Sequence, residues 1–199
     1  MRSLSEKKRE AMIEAAARHF FRGGYTATSM DAIAASANVS KRTLYNHFKS
    51  KKQLFQTLVE ILGRKIAFTT KIPYRNGAPL ETQLQEFVDQ GRQLMDDKTT
   101  LELFRTVLAE HVRSPDLVEA VIEKHWKSED GLVTWLEAAR ADEALAIPST
   151  ERAATHFWSL MKGIYVWPVV FGSPPQKKYD SKTAMDEAIE MFLSYYRQN

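Results

Sequence analysis

Apolar residues recur at three- and four-residue intervals almost everywhere along this chain, and the strict alternation of a half-buried strand is absent. The spacing predicts an all-α protein of about nine helices. Met12, Ala16 and Phe20, flanked by Ile13 and Ala17, mark one face of a first helix over residues 5–22, ended by Gly23-Gly24. A second helix opens at Thr28-Ser29 with Asp31 in its first turn, faces Ile33, Ala34 and Ala37 inward, and breaks at Asn38. Ser40 caps a short third helix over residues 41–47, and a fourth covers 51–70. Residues 71–79, KIPYRNGAP, contain two prolines and an Asn-Gly pair and read as a linker. Helices follow over 80–97, 100–113, 115–141, 149–171 and 182–197, with breaks at Ser114-Pro115, before Pro148 and in GSPPQKKYDS. Gly131 is placed to kink or split the 115–141 rod. Pro168 is placed to end or kink the 149–171 rod, because its ring clashes with the carbonyl of Ile164.

The chain of 199 residues is 44% hydrophobic, enough for a substantial core. The absence of cysteine excludes disulfides, thiolate metal sites and thiol nucleophiles. No run approaches the ~20 apolar residues of a membrane span, and the first twenty residues lack a signal peptide's apolar centre. The expectation is a soluble, cytoplasmic protein that meets no membrane. Charge changes the picture more than composition does. The net +3 divides into +9 over residues 1–71, with 14 Lys/Arg against 5 Asp/Glu, and −6 over the remainder. Such asymmetry points to a polyanion meeting the N-terminal part.

The stretch ANVSKRTLYNHF, residues 37–48, has the marks of a helix-turn-helix. Ala34 is small enough for two helices to cross closely. Asn38 tolerates the positive φ of the turn, Val39 anchors it, and Leu44 and Phe48 face the helix pair. That leaves Lys41, Arg42, Thr43, Asn46 and His47 on the outer surface, with Tyr45 at its edge. These donors and acceptors suit base edges and phosphates of a major groove. Lys51, just inside the next helix, and Thr28 and Ser29 at the second helix are placed to reach phosphates. The bland alternative is a solvated basic surface with Tyr45 as core filler.

AAARHFFRGGYTATSMDAIAASANVSKRTLYNHFKSKKQLFQTLVE resembles the N-terminal domain of TetR-family transcriptional repressors. The likeness rests on Gly-Tyr-Thr-Ala-Thr-Ser, Ile33-Ala34, Val39-Ser40, Leu44-Tyr45 and HFKSKKQL. It implies a symmetric homodimer on a double-stranded DNA operator, and DNA contacts at Thr28, Ser29, Lys41, Arg42, Thr43, Tyr45, Asn46, His47 and Lys51. It also implies a helix-turn-helix domain over residues 1–50, a connecting helix over 51–71 and a ligand-binding and dimerisation domain over 72–199. Asn38 and Arg42 stand where glycine is common in the family, so base preference does not transfer from relatives. LFRTVLAEHVRSPDLVEAVIEKHW, GLVTWLEAARADEAL and ERAATHFWSLMKGI are similar to the AefR-like branch.

All four tryptophans lie between Trp126 and Trp167. Such aromatic density can line an apolar cavity or simply fill a core. Phe104, His111, Trp126, Trp135, Phe157 and Met161 are the candidate lining of a small-molecule effector site, with His111 and His125 as possible polar anchors. His125 and Glu129 are too few to hold a metal. No catalytic or phosphate-loop motif occurs, so neither enzyme activity nor a cofactor is expected. Phe157, Met161, Ile164, Ala188, Phe192 and Tyr195 form apolar stripes suited to a four-helix dimer interface. The reading is a repressor released by a small, largely apolar or aromatic effector. A non-specific architectural DNA binder is the alternative.

Overall fold

The structure, a computed structural model, describes residues 3–69, 71–125, 131–172 and 180–197, with backbone alone for 68, 69, 120 and 122–125. It is helical throughout, with no strand among the described residues. The helices are α1 (Leu4–Ala27), α2 (Met30–Ser36), α3 (Lys41–His47), α4 (Lys51–Thr69), α5 (Leu80–Asp96), α6 (Lys98–Arg113), α7 (Pro115–His125), α8 (Gly131–Ala141), α9 (Thr150–Met161), a π-helical turn (Lys162–Val166), α10 (Trp167–Val170) and α11 (Ser181–Tyr196). They group into two compact units, Met1–Arg64 with Thr99–Lys127 and Lys65–Lys98 with Ser128–Asn199.

In the first unit α1 starts at Leu4, one residue before the expected start. Ser3 and Glu6 form a capping box: the Ser3 hydroxyl accepts from the Glu6 amide at 3.1 Å, and the Glu6 carboxylate accepts from the Ser3 amide at 2.6 Å. At the other end the helix breaks at Gly24, whose φ of 73° is open to glycine at little cost, and then continues to Ala27. The core consists of Met12, Ala15, Ala16, Phe20, Ile33, Ala34, Leu44, Phe48, Leu54, Phe55, Leu58 and Leu62, all nearly or wholly buried. Phe20 meets Phe55 edge-on at 5.4 Å, and Tyr25 completes the aromatic group.

In the second unit α5 and α9 pack on α11, and α8 packs on α9. A buried side chain helps to tie the linker to this core. Gln83 is fully buried, and its amide meets the linker on both sides. The oxygen accepts from the Arg75 amide at 2.8 Å and the Trp135 indole at 3.1 Å; the nitrogen donates to the Arg75 carbonyl at 2.9 Å and the Ala78 carbonyl at 3.0 Å. Each of these polar groups would be costly if buried unpaired.

Of the 115–141 rod, which Gly131 is placed to kink or split, the described residues hold α7 and α8, and residues 126–130 between them lie outside the described residues. Two expectations are revised here. The helix before Pro168 runs through it instead of ending. It opens into the π turn, where the Trp167 amide donates to the Lys162 carbonyl five residues back, and it stops only at Gly172 with φ 72°. The dimer stripe is mostly intramolecular core: Phe157, Met161, Ala188 and Phe192 are buried, with Phe157 edge-on to Phe192 at 5.4 Å. Of that set only Tyr195 is exposed, and Ile164 is half-buried.

Candidate nucleic-acid interface

The turn between α2 and α3 forms as its residues require. Asn38 takes φ 53°, the left-handed conformation that asparagine tolerates. The amides of Ala37, Asn38 and Val39 donate to the carbonyls of Ile33, Ala35 and Ala34 at 2.9, 3.1 and 3.0 Å. The Ser40 hydroxyl caps α3 by accepting from the Thr43 amide at 3.1 Å, and Ser29 caps α2 by accepting from Ala32 at 3.1 Å. Ala34 and Leu44 are buried at the crossing, with Phe48 behind them; Val39 is half-buried.

With that inner face locked, Lys41, Arg42, Tyr45 and Asn46 are exposed, Thr43 and His47 are half-buried, and Ser29 is exposed on the neighbouring helix. Lys41 lies 2.9 Å from Asp31, and that hydrogen bond raises its pKa. An exposed pair of this kind is weakly held, and the ammonium is available to a competing anion. Tyr45 is 38% exposed, at the surface rather than core filler.

Two expected phosphate contacts are placed otherwise. Thr28 is buried, and its hydroxyl donates to the carbonyls of Gly24 and His19 at 2.8 and 3.1 Å. The Lys51 ammonium donates to the carbonyls of Tyr25, Thr26 and Thr28 at 2.8, 3.0 and 2.9 Å, and lies 4.6 Å from the centre of the Tyr25 ring. All three of its protons have partners, and they hold the junction between α1 and α2. The same junction is held from the other side by α6. The Glu110 carboxylate is 2% exposed, and it accepts from the Tyr25 amide at 3.1 Å and from Arg113 at 2.7 Å. A Cβ at Gly24 would lie within ordinary contact of Arg113 and Glu110, at 3.4 and 3.6 Å, so it is the backbone conformation that calls for glycine there. Burial, and then the Glu110 charge, push the Tyr25 hydroxyl pKa up. From sequence, Glu110 beside His111 is weighed only as a metal or catalytic group, not as a support of this junction. Its signal is an acid continuing the buried positions Leu103, Thr106 and Val107 at helical spacing.

The six effector candidates are divided between the two units. Phe104 and His111 are half-buried on α6 in the first unit. Trp135, Phe157 and Met161 are buried in the second unit's core, and Trp126 lies outside the described residues, as does Glu129. The side chain of His125 is not described either. A cavity of about 370 Å³ in the first unit is lined by Phe20, Phe21, Gly23, Gly24, Arg105, Thr106, Ala109, Glu110 and Arg113, none of the six. No group of three His, Asp or Glu residues able to hold a metal occurs among the described residues. No helix among them is long and apolar enough to cross a membrane.

Comparison with known proteins agrees with this geometry. Residues 12–58 match the model of bacterial regulatory proteins of the tetR family, and residues 82–198 match that of the AefR-like transcriptional repressor C-terminal domain. A crystal structure of a TetR-family transcriptional regulator from Pseudomonas syringae pv. tomato str. DC3000 is 31% identical, with a TM-score of 0.82 over 98% of this chain and all of that one. The flavonoid-responsive regulator FrrA is 29% identical, with a TM-score of 0.78 over 98% of this chain and 99% of its own. The uncharacterized HTH-type transcriptional regulator YhgD of Bacillus subtilis is 41% identical over 63 residues. That match spans 32% of this chain and only 33% of the length of YhgD. These relatives are regulators, not enzymes. A capped, exposed recognition helix, matches over most of the chain and a likeness along its whole length lead to one conclusion: the chain belongs to the TetR family of bacterial transcriptional regulators.

Proposed function

We propose that the protein is a ligand-responsive repressor that binds a palindromic DNA operator as a homodimer. The observation that carries the reading is α3 itself: Leu44 is fully buried while Lys41, Arg42, Tyr45 and Asn46 stand outward from the same seven residues. Arg42 and Asn46 have the donor geometry for guanine and adenine edges, and Thr43 can touch a thymine methyl. Ser29, Lys41, Tyr45 and His47 supply phosphate contacts. Thr28 and Lys51 act from behind, fixing the junction from which α2 and α3 project. Two copies of α3 one helical turn apart, ~34 Å, would enter successive major grooves.

The dimer face is drawn from the exposed apolar residues of the second unit: Trp167 and Phe171 on and after α10, and Met191 and Tyr195 on α11. Exposed aromatic and methionine side chains of this kind suit a subunit interface. The effector is small and largely apolar or aromatic, a class supported by the flavonoid-responsive neighbour. Phe104 and His111, with surface still to offer, remain its candidate contacts, with Trp126; Trp135, Phe157 and Met161 frame the core. An effector that prefers the conformer unable to span two grooves releases the DNA. A coupling of about 1–3 kcal/mol changes operator affinity roughly 5- to 150-fold. Gel-shift titration on a palindromic duplex selected from a random library tests the reading. Two chains per duplex and preference over random DNA are expected. Binding as a strict monomer, or equal binding to random duplex, contradicts it.

A further inference from the structure

The buried stripe of α1 changes character toward its N-terminus. Met12, Ala15, Ala16 and Phe20 form it where the helix crosses the core. Three and four residues back from Met12 on the same stripe stand Arg9 and Lys8, both exposed. Lys7 projects ~100° further round, on the far side with Glu10. Arg9 shows where the stripe arrives. Its guanidinium lies 5.3 Å from the ring centre of Phe48, the residue that closes α3. The inner face of α1 therefore turns from apolar to cationic as it passes the end of the recognition helix. Glu6 is drawn to the helix end by Ser3, and Lys8 has no ion-pair partner among the described residues.

We propose that Lys8 and Arg9 form a second contact surface for the duplex, gripping backbone phosphates beside the groove that α3 enters without reading bases. The inference rests on the DNA-reading proposal above, and extends its contact surface beyond the start of α2 and α3. The partner follows from charge and continuity. Arg9 adjoins the C-terminal end of the outward-facing α3, Lys8 is its exposed neighbour on the same stripe, and the phosphates flanking a major groove are the anions that such an edge would meet.

Salt dependence separates this surface from general positive charge. Each phosphate contact adds about 0.9 to the slope of log affinity against log salt on B-DNA. On a duplex selected from a random library, Lys8→Gln is expected to reduce that slope by about 2 per dimer and to weaken operator and random duplex by the same factor. Arg9→Gln is expected to do the same; should it lose helical content by circular dichroism, the Lys8 comparison decides alone. Lys7→Gln removes an equal charge from the far face and is expected to leave the slope in place. An unchanged slope in Lys8→Gln, or an equal fall in Lys7→Gln, overturns the inference. A wild-type chain with no preference for any duplex would overturn the DNA-reading proposal instead.

Discussion

In the first unit Arg42 and Tyr45 project from a seven-residue helix whose Leu44 is fully buried; in the second, Trp135 and Phe157 are buried and the polar groups beside them turn inward too. The Gln83 amide closes on the linker and the Trp135 indole, and the His156 imidazole meets the Tyr196 hydroxyl at 2.9 Å. The contrast shows that side-chain type alone does not mark a site. Tyrosine and arginine become contacts where a short helix is locked by its opposite face. Tryptophan and phenylalanine at the same local spacing become core where helices pack on both sides.

The sharpest way to break this comparison is in the second unit. Trp135→Ala removes a wholly buried indole and leaves the Gln83 oxygen short of a donor; a loss of about 3–5 kcal/mol in urea unfolding is expected. Operator affinity per folded molecule should be unaffected. Effector-dependent affinity lost without a loss of stability would instead make Trp135 a binding residue. The junction behind α2 belongs to both classes. Glu110→Ala strands the Tyr25 amide and is expected to cost about 1–3 kcal/mol, with operator affinity falling further than affinity for random DNA. Gly24→Ala, forced into φ 73° with ψ 167°, a region almost confined to glycine, is expected to cost about 1–3 kcal/mol and to lower operator affinity in the same way.

A smaller effect depends on pH. Tyr165 is buried on the π turn and donates its hydroxyl to Asp96. Burial first, and then the Asp96 bond, push its pKa up to about 12. A raised pKa means that the fold favours the protonated phenol. Its contribution to stability is intact below the ordinary value of 10 and is lost as pH rises toward 12. The urea midpoint should therefore fall through that window, and fall less steeply in Tyr165→Phe. A residual slope is expected from Tyr74, which is pushed up to about 12 by burial and its bond to Asp142.

Legibility followed the same divide. The turn at Asn38, the cap at Ser40, the outward set on α3 and the all-helical fold were readable because each depends on residues within a few positions of one another. Pro168 was legible as a disturbance of its helix but not in its form, because a clash with the Ile164 carbonyl can be relieved by a change of helical register that no residue pattern announces. Thr28 and Lys51 misled because their partners are backbone carbonyls, which carry no signature in sequence. The exposed edge of α11 was misplaced because helical period identifies an apolar face but not whether it is covered within the protomer. Gln83 and Glu110 were legible in part, as polar interruptions of apolar stripes, but their partners lie 52 and 85 residues away in the chain.

The most direct test of the central claim is the double substitution Lys41→Ala with Tyr45→Ala, assayed together for unfolding midpoint and for binding to the selected duplex. Both side chains are exposed, so the midpoint should move little while preference for the operator over random duplex disappears. A folded double variant that still prefers its operator as wild type does would contradict the account.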